Sequence, residues 1–376
     1  MSLDVFRGMT IMGMILVNNP GTWGAIYPPL RHAAWHGWTP TDLVFPFFLF
    51  IVGVAIPLAF TKRLEQGGDR GDLVRKTVKR AAVLFAIGLG LSLYSRVWRG
   101  IEGVPLDLSD LRILGVLQRI ALCYLVASLL FLYTSARTQL IAGVTILLGY
   151  WAALEFVPVP GVGAGHLDVP AETLPAYVDR LLLGGRHLWA GADHLWDPEG
   201  LLSTLPAIVT ALLGVAAGRM VRRKDVEPVE TAARMMALGL ALAVVGGVWG
   251  WVFPVNKGLW TSSYVLLTGG FAFSVLGVCY WAADVHGRRG WTGPFVVYGV
   301  NALLVFVGSS LLAQTLVRIQ VADPEGPVAL QAWIFRTVFS PLGPPEFASL
   351  LYALVWIGGW YLVLRALYRR GVIWKV

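Results

Sequence analysis

The sequence predicts an all-α, polytopic membrane bundle of about ten spanning helices, with both termini cytoplasmic. Three observations carry this. The 376 residues are 56% hydrophobic and 14% charged, with mean hydropathy +0.67, too apolar for a soluble domain. Apolar runs of about 20 residues, the length that crosses a bilayer, recur along the chain. Lys and Arg are shared unevenly between alternate connecting segments.

The runs are residues 5–22, 43–61, 74–95, 111–133, 138–157, 201–221, 232–253, 260–283, 293–315 and 347–368. The first has a short apolar core, Met9 to Val17. That length suits a signal peptide, but Asn18-Asn19-Pro20-Gly21 follows without a small-x-small cleavage site, so it reads as a short, polar-ended membrane helix. With the N-terminus inside, 20 of the 30 Lys and Arg fall in inside segments, Lys375 among them. Nine fall outside, and Arg119 lies within a helix. The net charge of +8 is thus mostly a topology signal, and nucleic acid is not an expected partner. Cys123 and Cys279 lie in apolar segments and read as small core residues; no disulfide framework or CxxC motif occurs.

A single domain over 1–376 is expected, with long outside loops at 158–200 and 316–346. The first loop is rich in Pro and Gly and carries His166, His187 and His194. The second has a short amphipathic pattern near 328–339. Long ordered loops in compact proteins are often functional. No internal repeat is visible, which weighs against an inverted-repeat transporter.

This topology gathers the unusual polar groups on one side. Asn18 ends the first helix there. His32 and His36 follow in the next loop, and Asp42 opens the second helix. Gln118-Arg119 lies about two turns into the fourth helix; Asp193, His194, Asp197 and Glu199 precede the sixth; Asn256-Lys257 lies between the seventh and eighth. An Arg at membrane depth needs a partner or a cavity, so Arg119 is expected to pair with Asp42, Asp197 or Glu199. Plainer readings stand beside the functional ones. Arg119 in an ion pair locks helices. Asp197-Pro198-Glu199-Gly200 reads as a helix start. Asn256-Lys257-Gly258 reads as a polar turn. Asn301, mid-way along the ninth helix, reads as interhelical glue. His32 and His36 have i, i+4 spacing, but Gly37 and Pro40 oppose a regular helix, and no metal is expected. No GxSxG elbow or P-loop is present.

Several stretches resemble the heparan-α-glucosaminide N-acetyltransferase family. They are Ser2-Leu3-Asp4-Val5-Phe6-Arg7-Gly8, Val17-Asn18, His32-Ala33-Ala34-Trp35-His36-Gly37 and Thr41-Asp42-Leu43-Val44-Phe45-Pro46. Gly115-Val116-Leu117-Gln118-Arg119, Asp197-Pro198-Glu199-Gly200 and Pro254-Val255-Asn256-Lys257-Gly258-Leu259-Trp260 continue the series in the same order. Weaker similarity runs from Tyr298 to Gly308. The family's lysosomal enzyme has a lumenal domain and an extra first helix, neither of which is in this sequence. The resemblance therefore implies the compact bacterial branch, the NagX-type glucosamine acetyltransferases, in the inner membrane.

It implies acetyl transfer from acetyl-CoA to the amino group of a glucosamine sugar. Heparan sulfate itself is not the expected acceptor. His32 falls on the family's active-site histidine and Asn18 on its Val-Asn position. His36 falls where the lysosomal enzyme has Asn, so no catalytic role carries to it. A histidine titrates near neutrality, and His32 can act as general base on the amine or take the acetyl group itself. Asn18 can donate to the oxyanion or fix the imidazole tautomer, and Asp42 can orient His32. Gln118, Arg119, Asp197, Glu199, Asn256, Lys257 and Asn301 form the expected substrate- or CoA-binding set. The expected partners are acetyl-CoA, an amino-sugar acceptor, the lipid bilayer and, as an option, a second copy in a homodimer. The rival readings are a transporter of amino sugars or cell-wall fragments and an O-acetyltransferase of an envelope glycan.

Overall fold

The computed structural model describes residues 1–101, 103, 105, 107–324 and 326–374; Lys375, counted in the charge split, lies outside them. The architecture is all-α. The helices are α1 (Ser2–Asn18), α2 (Val44–Glu65), α3 (Arg70–Ile101), α4 (Val116–Tyr133), α5 (Ala136–Phe156) and α6 (Leu174–Leu183). After them come α7 (Thr204–Arg222), α8 (Pro228–Trp249), α9 (Ser262–Cys279), α10 (Gly293–Val300), α11 (Ala302–Arg318), α12 (Leu330–Ile334) and α13 (Pro345–Arg369). One two-residue antiparallel pair, β1 (Gln320–Val321) with β2 (Val328–Ala329), precedes α12 inside the 316–346 loop.

Among the described residues, eight helices are long and apolar enough to cross a membrane, and the α10–α11 pair makes a ninth if it is one span. Every apolar run read from the sequence is helical, but two differ from the expected form. The first, α1, has 17 residues, because Pro20 lacks the amide and the φ freedom to carry the helix past Asn19. The ninth is broken: α10 and α11 meet at 79° about Asn301, whose backbone sits at φ −112, ψ 35.

Two helix starts also move. The chain is not helical from Leu111 to Gly115, because the Ile113 amide bonds the His187 carbonyl, so α4 begins at Val116 and Arg119 lies in its first turn. The helix expected at 201 begins at Thr204, behind a turn.

The chain packs as two compact units. Among the described residues, the first holds 1–33, 39–44 and 282–374, and the second holds 34–38 and 45–281. In the first, α1 crosses α10 where a Cβ on Gly8 would stand 1.8 Å from the Phe295 carbonyl oxygen. In the second, α2 crosses α7 through Gly53 and Gly214, where a Cβ would meet a facing carbonyl at 1.9 and 2.0 Å. Membrane helices gain little hydrophobic drive from meeting each other, so close backbone approach through small residues carries the packing. The second unit's loops rest on a buried group of Tyr150, Leu154, Leu167, Phe253 and Leu259.

Candidate active site

In the first unit, His32 and Asp42 are brought together. Pro40 pre-sets the backbone for a short 3-10 turn, Pro40–Leu43, and Thr39 closes it with a capping box to Asp42. The Asp42 carboxylate is buried, 1% exposed. Its Oδ2 accepts from the Ala33 amide at 3.0 Å and the Thr39 amide at 3.1 Å. Its Oδ1 lies 2.6 Å from His32 Nδ1. An ionised carboxylate so held takes a hydrogen from Nδ1, which makes Nε2 the basic nitrogen of the ring. The His32 side chain is 46% exposed, so solutes reach the ring. Asn18 is exposed at the C-terminal end of α1.

Asn301, in the same unit, is fully buried. Its Nδ2 donates to the Val372 carbonyl at 3.2 Å, and its Oδ1 accepts from the Trp374 amide at 2.9 Å. Both ends of the amide thus hold the chain's own C-terminal segment at the helix break.

His36 belongs to the second unit. Nε2 lies 2.9 Å from Asp168 Oδ1, and Nδ1 lies 3.3 Å from Asn256 Nδ2. Beside it, the Gly37 amide donates to the Val255 carbonyl at 2.7 Å and Trp35 Nε1 to the Leu167 carbonyl at 2.7 Å. Asn256 is fully buried, and its Oδ1 accepts from the Leu259 amide at 2.8 Å, which closes the 256–260 turn. Lys257 is half-buried on that turn. Trp260 ends it at φ 53, a left-handed angle that is costly for a bulky residue. The strain seats its indole 5.1 Å beneath the Arg119 guanidinium, with Nε1 donating to Thr210.

The second unit also holds a cluster of charges. Arg112, at the start of the 111–133 run, grips Asp197 with two nitrogens at 2.8 and 2.5 Å and reaches Glu199 at 2.5 Å. Both carboxylates are buried. Burial pushes the Asp197 carboxyl up, with Arg112 working against that shift. Burial alone would lower Arg112, but its bonds to Asp197 and the Glu199 charge raise it well above the usual range.

Among the described residues, Arg119 has no carboxylate partner, contrary to the sequence expectation. Arg112 takes both acids, and Asp42 is bound to His32. Instead, fully buried Arg119 donates through Nη2 to the Gly200 carbonyl at 3.0 Å and to Ser203 Oγ. Its Nε and Nη1, and Gln118 Nε2, are buried without a hydrogen-bond partner among the described residues. Asp197 does begin a turn, since its Oδ1 accepts from the Glu199 amide at 2.9 Å, but the helix itself starts at Thr204.

Two participants were missed. Arg112 was hidden because 111–115 reads as the start of a helix; two acids two residues apart on the same expected side were the available signal. Asp179, buried in α6, has no signal in the sequence beyond an acid in an apolar decapeptide. Among the described residues, no three His, Cys, Asp or Glu side chains converge as a metal site.

The comparisons with known proteins agree on one family. The family model described as "Heparan-alpha-glucosaminide N-acetyltransferase, catalytic" matches residues 1–248. The human heparan-alpha-glucosaminide N-acetyltransferase is 33% identical over 425 aligned positions, covering 100% of this chain and 59% of that protein. The mouse protein of the same name is 32% identical over 424 positions, covering 100% and 60%. The chain spans about three-fifths of the length of these curated relatives.

Proposed function

This chain belongs to the heparan-α-glucosaminide N-acetyltransferase family, and from that premise we propose that it moves an acetyl group from acetyl-CoA to the amino group of glucosamine or a glucosamine-containing saccharide. The observation that carries the reading is the His32–Asp42 pair. An amine must lose a proton to attack a thioester. Nε2 of His32 takes that proton as the nitrogen adds to the carbonyl carbon. The tetrahedral intermediate then collapses, the C–S bond breaks, and His32 returns the proton to the departing CoA thiolate. Asp42 fixes the ring and stabilises the imidazolium between the two transfers. In a two-step variant, Nε2 takes the acetyl group first and passes it to the amine.

Asn18 is assigned to the oxyanion. Arg119, whose Nε and Nη1 have no partner among the described residues, Gln118, whose Nε2 has none there, and Lys257 are assigned to CoA phosphates or sugar hydroxyls. Asp197 and Glu199 are assigned to the acceptor's ammonium or hydroxyls. Asn256 and Asn301 take structural roles in this reading, since both amides hold the chain's own backbone. The charge split supports a multi-pass protein of the bacterial inner membrane with cytoplasmic termini, drawing donor from the cytoplasm and acetylating at the periplasmic face.

The test is transfer of labelled acetyl from acetyl-CoA by purified protein in lipid nanodiscs, with glucosamine and N-acetylglucosamine as rival acceptors. Acetylation of glucosamine alone is expected. Transfer to N-acetylglucosamine would favour an O-acetyltransferase, and vesicle uptake of amino sugar without transfer would favour a transporter. Cysteine labelling should reach residues 158–200 only from the periplasm and residues 62–76 only from the cytoplasm; the reverse would overturn the sidedness.

A further inference from the structure

We infer that Asp179 is a positioning residue for the reaction proposed above, fixing the Asp197–Gly200 turn through the Leu201 amide; its place in catalysis rests on that reading. Asp179 belongs to no motif and sits in α6, in the long connection before α7. Its side chain is fully buried. Oδ1 accepts from the Leu201 amide at 2.7 Å. Among the described residues Oδ2 has no hydrogen-bond partner, and it lies against Gly200, where a Cβ would stand 1.8 Å from it. Only glycine lets the carboxylate close on the turn.

The grip comes from two elements. Arg119 of α4 donates to the Gly200 carbonyl, while Asp179 of α6 takes the next amide. Arg112 holds the two acids of the same turn. A neutral side chain could accept from Leu201 without burying a charge, and a buried carboxylate with an unpaired oxygen is costly. What the carboxylate adds is a stronger, charge-assisted bond and a negative surplus: three acids, Asp179, Asp197 and Glu199, against two cations, Arg112 and Arg119. That surplus suits an acceptor that arrives as an ammonium.

Asp179 also makes the grip depend on pH. Burial pushes its carboxyl up to about 6, with the Asp197 charge adding to that shift and the Leu201 amide and Arg119 opposing it. The closed turn therefore favours the protonated carboxyl, so the cost of the buried charge is present above that value and is relieved as pH falls through it.

Asp179→Asn tests this. The variant keeps the shape and removes a buried charge, so it should fold, with a thermal midpoint at pH 8 no lower than wild type. Hydrogen exchange of the peptide over 197–203, corrected for intrinsic rates, is the first readout. In wild type, protection should rise several-fold from pH 8 to pH 5 as the buried charge is neutralised; in Asp179→Asn it should be flat across that range. Equal protection in both proteins at all pH values would overturn the grip. Kinetics are the second readout. KM for glucosamine should rise roughly 10-fold in the variant, with kcat within about 2-fold. An unchanged KM in an active enzyme would overturn the positioning role. A wild type that transfers no acetyl group would sink the functional reading, while the exchange experiment still decides the grip.

Discussion

His32 and His36 stand four residues apart and end in opposite circumstances. His32, in the first unit, has one nitrogen on a buried carboxylate and a ring that is 46% exposed. His36, in the second unit, has both nitrogens engaged, one by Asp168 and one by Asn256. The carboxylates differ as much as the rings: Asp42 is 1% exposed and Asp168 92%. A buried acid held by backbone amides sets a tautomer firmly, whereas an exposed ion pair contributes little and is screened by salt. The difference therefore lies in what each ring faces. In the proposed reaction the first arrangement moves a proton, whereas the second staples residues 34–38 to the 256–260 turn.

The comparison breaks most sharply at His32. His32→Ala is expected to lower acetyl transfer by about 10²–10⁴-fold if it acts as base, and more completely if it carries the acetyl group. Retention of wild-type turnover by a folded His32→Ala protein would remove the assignment. Asp42→Asn should follow with a loss on the order of 10²-fold, because an Asn can present either end to Nδ1 and no longer favours the productive tautomer. Labelled acetyl retained on the protein in the absence of acceptor, and lost in His32→Ala, would select the two-step route.

A second pair sharpens the same lesson among the arginines. Arg112 is committed to two buried acids, and Arg119 has donors to spare. Arg112→Ala strands both carboxylates and should cost about 3–5 kcal/mol, read as a lowered thermal midpoint in detergent. Arg119→Ala leaves no acid unpaired, so its larger effect should fall on acetyl-CoA or acceptor affinity, with Arg119→Lys rescuing only part because the planar fork is lost. If Arg119→Ala destabilised more than Arg112→Ala and bound substrate normally, the two roles would be exchanged.

How much of this was legible depends on the kind of constraint. The helices were, because about 20 apolar residues in a row have few other uses. His32, Asp42 and the Asp197–Gly200 turn were, because their motifs are local in sequence. The Arg112 pairing was not: it joins residues 85 and 87 positions apart, and periodicity says nothing about which of two nearby arginines reaches first. The break at Asn301 was hidden for a related reason. Its flanks are apolar enough to read as one helix, and the groups that hold the bend, Val372 and Trp374, lie some 70 residues away. Asp179 was hidden because its partner is a backbone amide, which no side-chain pattern marks.

The smallest expected effect is the one that decides between the two histidines. His36→Asn removes the ring but keeps a side chain able to bond Asp168 or Asn256, though not both at their present spacing. The Gly37 amide and Trp35 Nε1 still tie the segment down through Val255 and Leu167. The lost bond on the Asp168 side is exposed, and exposed ion pairs are worth roughly 0–1 kcal/mol. Turnover should therefore stay within about 2–3-fold of wild type, and the thermal midpoint should barely move. The stronger His36→Ala strips both bonds and leaves buried Asn256 short of one partner, so it should lower the midpoint measurably while kcat holds. Paired with His32→Ala, this gives a crossed result: one histidine changes rate without stability, the other stability without rate. If His36→Asn abolished transfer while His32→Ala kept it, the proton would be moving through the second unit, and the exposed Asp168 would become the group to mutate next.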